Sequence, residues 1–67
     1  MKWKEHISSD PAIMLGKMVI KGTRIPVALI LEKLGLGYSF DDLKAAYPNI
    51  TTSDIQACLL FAAENTK

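Results

Sequence analysis

Cysteine is nearly missing from this 67-residue chain: Cys58 is the only one. A single thiol closes no internal disulfide. That sets aside the small stapled scaffolds of secreted proteins and makes a reducing, cytoplasmic setting the expectation. Histidine is equally scarce. His6 has no cysteine or carboxylate at ligand spacing, so none of the usual zinc patterns is present and no metal is expected. No apolar run approaches the ~18 residues that a membrane span requires. No basic segment followed by an apolar core opens the chain, so no secretory leader is expected either. Gly22-Thr23-Arg24 lacks the surrounding glycines and the Gly-Lys-Ser/Thr ending of a phosphate loop. Asp41 and Asp42 suit the first turn of a helix better than a general acid–base pair, and Cys58 lies on an apolar stripe with no base near it in sequence. With no constellation for catalysis, the chain is expected to be no enzyme, to need no cofactor and to take no small-molecule substrate.

What is present is apolar. The hydrophobic fraction is 49% and the charged fraction only 22%, which excludes disorder. A domain this small buries only about 60% of its unfolded surface. So much apolar side chain in so little interior points to a second chain, and a homodimer is expected. The net charge is +1, but its distribution is uneven. Residues 1–33 hold Lys2, Lys4, Lys17, Lys21, Arg24 and Lys33 against Glu5, Asp10 and Glu32, whereas residues 34–67 hold Lys44 and Lys67 against Asp41, Asp42, Asp54 and Glu64. A polyanion would have to be held mainly by the basic first half.

The local patterns predict one mainly α domain over 1–67: a short N-terminal β-arm or hairpin over 1–25, then a three-helix bundle over 26–67 that contains a helix-turn-helix. Trp3 to Ile7 is a candidate strand. Ser8-Ser9-Asp10-Pro11 is turn chemistry, and Gly16 breaks the next stretch. Lys17 to Ile20 is a short apolar, β-branched run, with Lys21-Gly22 as a turn and Thr23 to Ile25 as a returning strand. Pro26 opens the first helix. Val27, Ile30, Leu31 and Leu34 follow at helical spacing, and Gly35 and Gly37 stop it. Ser39 caps the second helix, in which Phe40, Leu43 and Tyr47 share a face before Pro48 ends it. Thr51 or Thr52 caps the third, with Thr51-x-x-Asp54 as a capping box. Ile55, Cys58, Leu59 and Ala62 form its stripe, flanked by Ala57, Leu60 and Phe61, so this helix is expected to be covered on more than one side.

A short helix, a tight turn and a longer helix make the layout that places a helix start in the DNA major groove. Thr51, Thr52, Ser53 and Gln56 occupy that start. Gln reads adenine through two hydrogen bonds, and Ser and Thr contact base edges or phosphates, although the same hydroxyls serve first as caps. Lys17, Lys21 and Arg24 on the arm and Lys44 on the second helix are the candidate phosphate contacts.

Two segments together, Gly16 to Leu34 (GKMVIKGTRIPVALILEKL) and Tyr47 to Ala62 (YPNITTSDIQACLLFA), resemble the signature of the bacterial domain-of-unknown-function 433 family. The resemblance rests on Gly22, Thr23, Arg24, Pro26, Tyr47, Pro48, Thr51, Asp54 and Ile55. Met18 stands where that family usually has proline, and Cys58 where it usually has alanine. The resemblance implies a β-element followed by a helix-turn-helix bundle that dimerises. It also implies an antitoxin of a type II toxin–antitoxin module that neutralises a PIN-like ribonuclease toxin and represses its own operator. Little chain follows the third helix, so toxin binding is expected to use the folded domain. Two functions follow: a DNA-binding antitoxin and autorepressor, or a protein-interaction module, favoured by the acidic second half, that binds no DNA.

Overall fold

The computed structural model describes residues 1–9 and 17–66. Among them a 3₁₀ turn, Trp3–Glu5, leads into strand β1, Ile7–Ser9, which pairs antiparallel with β2, Met18–Ile20. Helices α1, Val27–Gly35, α2, Phe40–Ala46, and α3, Thr52–Glu64, follow. The chain is thus mainly α with an N-terminal two-stranded hairpin, as the residue patterns predict.

The hairpin differs from the sequence reading in its pairing. Ile7 lies opposite Ile20 and Ser9 opposite Met18, so Trp3 to Glu5 coil before the strand and Ser8 and Ser9 belong to it. The expected turn at Asp10-Pro11 and the break at Gly16 fall outside the described residues. Thr23 to Ile25 do not form a strand. They double back beside β2 through one bridge, Val19 to Pro26, and one bond from the Ile20 amide to the Ile25 carbonyl. The turn between them is tight. The Thr23 amide bonds the Ile20 carbonyl at 3.0 Å, and Gly22 has φ 81°, the left-handed value that a type II turn needs at its third residue. The Thr23 hydroxyl donates to the Ile20 carbonyl at 2.7 Å and accepts from the Ile25 amide at 3.0 Å, which locks the turn.

Pro26 is the N-cap of α1, one residue earlier than expected; its carbonyl accepts from the Leu29 and Ile30 amides. The helix ends in a Schellman motif. The Tyr38 amide reaches back to the Lys33 carbonyl and the Gly37 amide to Leu34, both at 3.0 Å, with Gly37 at φ 100°. An added Cβ at Gly37 would touch nothing, so the cost of Gly37→Ala is backbone strain alone. It is expected to destabilise the domain by roughly 1–2 kcal/mol, read as a lower urea midpoint with an unchanged slope. Capping boxes open both later helices: Ser39 with Asp42, and Thr51 with Asp54.

The core joins the hairpin to all three helices. Ile7 and Ile20 of the strands meet Val27 and Ile30 of α1, Leu43 of α2, Ile50 of the α2–α3 turn, and Ile55, Ala57 and Cys58 of α3. Trp3, Phe40, Tyr47 and Phe61 close its edges. The Trp3 ring stands edge-on to Phe61, with centroids 5.2 Å apart, and its indole N–H is bonded to Glu64.

Candidate functional site

The start of α3 is the geometric centre of the predicted contact residues. The Thr51 hydroxyl accepts from the Asp54 amide at 3.2 Å, and the Asp54 carboxylate accepts from the Thr51 amide at 2.9 Å. Thr51 is therefore the cap, not Thr52. The Thr52 hydroxyl instead accepts from Lys44 Nζ at 3.0 Å, and the same ammonium lies 3.6 Å from the Asp41 carboxylate. Lys44 and Thr52 are thus brought together, but each is engaged within the protein. Ser53 is half-buried and Gln56 exposed.

The arm supplies a connection that the sequence reading missed. His6 Nδ1 lies 3.0 Å from Asp54 Oδ1, linking the residue before β1 to the first turn of α3 across 48 positions. His6 had read as isolated, because neither partner has a local signal that names the other. The backbone continues the link: the Lys21 amide bonds the His6 carbonyl at 2.8 Å. The Lys21–Arg24 turn is therefore anchored beside the start of α3. Lys21 and Arg24 are exposed and make no side-chain bond among the described residues. Lys17 lies elsewhere. It borders an open, mainly apolar depression of about 250 Å³ with Met18, Ala28, Leu31 and Phe61. Phe61 is seven residues beyond Asp54, about 10 Å along the helix. The cationic residues expected to act together thus divide, with Lys21 and Arg24 near the helix start and Lys17 away from it.

The motif residues can now be sorted by task. Gly22 and Thr23 make the turn, Pro26 caps α1, Thr51 and Asp54 cap α3, and Ile55 is fully buried. Arg24 has no such structural task among the described residues.

The outer face of α3 departs most from expectation. Ala57 is buried, while Leu59 and Leu60, placed by their spacing on or beside the core stripe, are each 42% exposed. The reason is angular. Ile55, Cys58 and Ala62 already fill the inward arc, and Ala57 faces the arm side; Leu59 and Leu60 project on the opposite side with Gln56. Met1, Gln56, Leu59 and Leu60 line one shallow depression. A second exposed apolar group sits at the α1–α2 corner, where Leu36 is 71% and Tyr38 40% exposed. Lys33 Nζ lies 4.8 Å from the centre of the Tyr38 ring. Asp41 and Asp42 follow in the first turn of α2. Hydrogen bonds from the Ser39 amide and hydroxyl region hold the Asp42 carboxyl below the usual carboxylate range.

Cys58 is inside, as its apolar stripe implied. Burial first, and then the nearby Asp54 charge, push its thiol up from 9.0 to about 11. A folded-state value above the unfolded one means that the folded chain holds the proton longer. Stability is therefore expected to fall as pH rises from about 9 to about 11, by roughly 1–2 kcal/mol. Chemical denaturation across that window, with Cys58→Ala as the control that removes this component, measures it. Among the described residues no cluster of three or more His, Cys, Asp or Glu could hold a metal ion, and no helix is long and apolar enough to cross a membrane.

The arrangement can be set beside known proteins. A family model described as "Protein of unknown function (DUF433)" matches residues 7–62. The chain belongs to the DUF433 family. The match runs from β1 through nearly all of α3, and so covers both the hairpin and the helix-turn-helix. A crystal structure of a DUF433 protein from Anabaena variabilis ATCC 29413 superposes with a TM-score of 0.85 at 30% identity, covering 91% of this chain and 60% of that one. The uncharacterized protein y4eO of Sinorhizobium fredii (strain NBRC 101917 / NGR234) is 29% identical over 62 residues, which are 92% of this chain and 28% of that protein. This chain therefore spans less than a third of y4eO and about three-fifths of the crystallised DUF433 chain.

Proposed function

We propose that this chain is the protein-binding domain of an antitoxin and that it neutralises a PIN-like ribonuclease through the α1–α2 corner. One observation carries the reading: Leu36 and Tyr38 stand 71% and 40% exposed beside carboxylates on a turn locked by the Schellman bonds. Large apolar groups held rigidly in water are what an interface needs as anchors, because little conformational freedom remains to be lost on binding. The rim chooses the sign of the partner. Asp42 and Glu32 have no cation within ion-pair distance among the described residues, and Asp41 is only partly offset by Lys44. Such a rim complements the basic surface with which a ribonuclease holds RNA. The partner class itself rests on the resemblance of the motif residues to antitoxins. Co-expression with the PIN-like ribonuclease encoded beside the chain tests the reading. A co-purifying complex is expected, and Leu36→Glu is expected to weaken it about 100-fold or more. A folded Leu36→Glu chain that binds as tightly as the wild type would remove the corner from the interface.

A DNA-binding autorepressor is the second reading, favoured by one specific observation: Lys21 and Arg24 are exposed and unengaged beside the start of α3. It predicts that Arg24→Ala weakens binding to the chain's own operator and flattens its salt dependence, which fluorescence anisotropy over a salt series measures. Unaltered binding by Arg24→Ala would leave the motif arginine without a DNA role.

A further inference from the structure

We infer that the outer face of α3 is the seam of a homodimer, in which two copies of the helix pack antiparallel, and that Gln56 belongs to this seam rather than to a DNA groove. Gln56, Leu59, Leu60 and Ala63 occur at i, i+3, i+4 and i+7 and are all exposed. That spacing makes one stripe along two turns of helix. Leu59 and Leu60, each 42% exposed, are its centre, and Met1, 60% exposed, lies against it.

Charge decides between a copy and a different partner. The stripe carries none. An acidic or basic protein would find no complementary group there, whereas an uncharged face meets itself without repulsion. The α1–α2 corner is the opposite case: a two-fold pairing would bring Asp41 and Asp42 against their own copies. Of the two exposed apolar surfaces, only the α3 face is therefore self-compatible. Shape agrees. A two-fold axis near Leu59 and Leu60 sets the small Ala63 opposite the longer Gln56 of the second copy, leaving room for each Leu60 between them.

This seam excludes the usual groove geometry. Each α3 start lies about 11 Å along the helix from the axis, so the two starts stand about 22–25 Å apart, against the ~34 Å between successive major-groove faces. Gln56 would also be covered. The inference does not depend on the toxin-binding proposal, because its test uses the chain alone.

Sedimentation velocity of the full chain across micromolar concentrations is the experiment, with Leu60→Glu and Leu36→Glu as the paired variants and circular dichroism as the check on folding. A wild-type dimer is expected. Leu60→Glu should raise its dissociation constant about 100-fold or more, while Leu36→Glu leaves it unchanged. A second arm covers the case in which Leu60→Glu fails to fold: Gln56→Cys and Ala63→Cys chains, mixed and mildly oxidised, should form the mixed disulfide dimer in preference to either like pair. A wild-type monomer at 100 micromolar concentration (roughly the weak limit for a specific dimer), an undiminished dimer in folded Leu60→Glu, or preferential like-pair cross-links would each overturn the inference.

Discussion

Leu43→Ala is expected to destabilise the domain by about 3 kcal/mol, the loss of a fully buried leucine and the cavity it leaves. Leu43 is 0% exposed and is the one buried residue of α2, a helix of seven residues. So short a helix has little stability of its own, and this side chain fastens it to the core. A 67-residue domain has a total stability of roughly 3–10 kcal/mol. The substitution therefore removes a large fraction of it, and thermal unfolding should move down by roughly 12–24 °C. A shift of only a few degrees would mean that α2 contributes little to the folded core.

Asp54 is the second place where one side chain supports several contacts. Its carboxylate accepts the Thr51 amide at 2.9 Å with one oxygen and faces His6 Nδ1 at 3.0 Å with the other. The side chain is only 15% exposed, so solvent compensates poorly for lost partners. Asp54→Ala is expected to cost about 2–3 kcal/mol, from the lost cap and the lost partly buried bond together. His6→Ala removes only the second contact. A double-mutant cycle between the two should show a coupling of about 1 kcal/mol, whereas additivity within roughly 0.3–0.5 kcal/mol would mean that the His6 contact contributes nothing. Because His6 also accepts the Lys21 amide through its carbonyl, loss of the pair is expected to loosen the Lys21–Arg24 turn from α3. Faster amide exchange confined to that turn would report it.

The parts of the fold that could be read in the sequence are those specified by neighbouring residues. Ser39 and Thr51 cap because a carboxylate follows three positions later. Gly22 turns the chain because it adopts a positive φ, and Gly37 does the same at the end of α1. Pairing across distance was less legible. Ile7 opposite Ile20 and His6 against Asp54 depend on how the chain closes, and no local pattern encodes either. The register of α3 was the third gap. Seven apolar residues crowd its length, so the stripe could be drawn on more than one arc; the packing of α1, the arm and Phe61 decides that Ala57 goes in and Leu59 stays out. The candidate site was legible in the same uneven way. Residue types named Thr51, Thr52, Lys44 and Arg24, but only the three-dimensional arrangement divides them. Thr51 is held in a cap, Thr52 and Lys44 hold each other, Lys17 is remote, and Arg24 is left free among the described residues.

The measurement closest to the central proposal is a titration of the neighbouring PIN-like ribonuclease with the full chain, following cleavage of a fluorescent RNA. Stoichiometric loss of cleavage is expected, abolished by Leu36→Glu and retained by Arg24→Ala. Undiminished cleavage in the presence of excess folded chain would contradict the account.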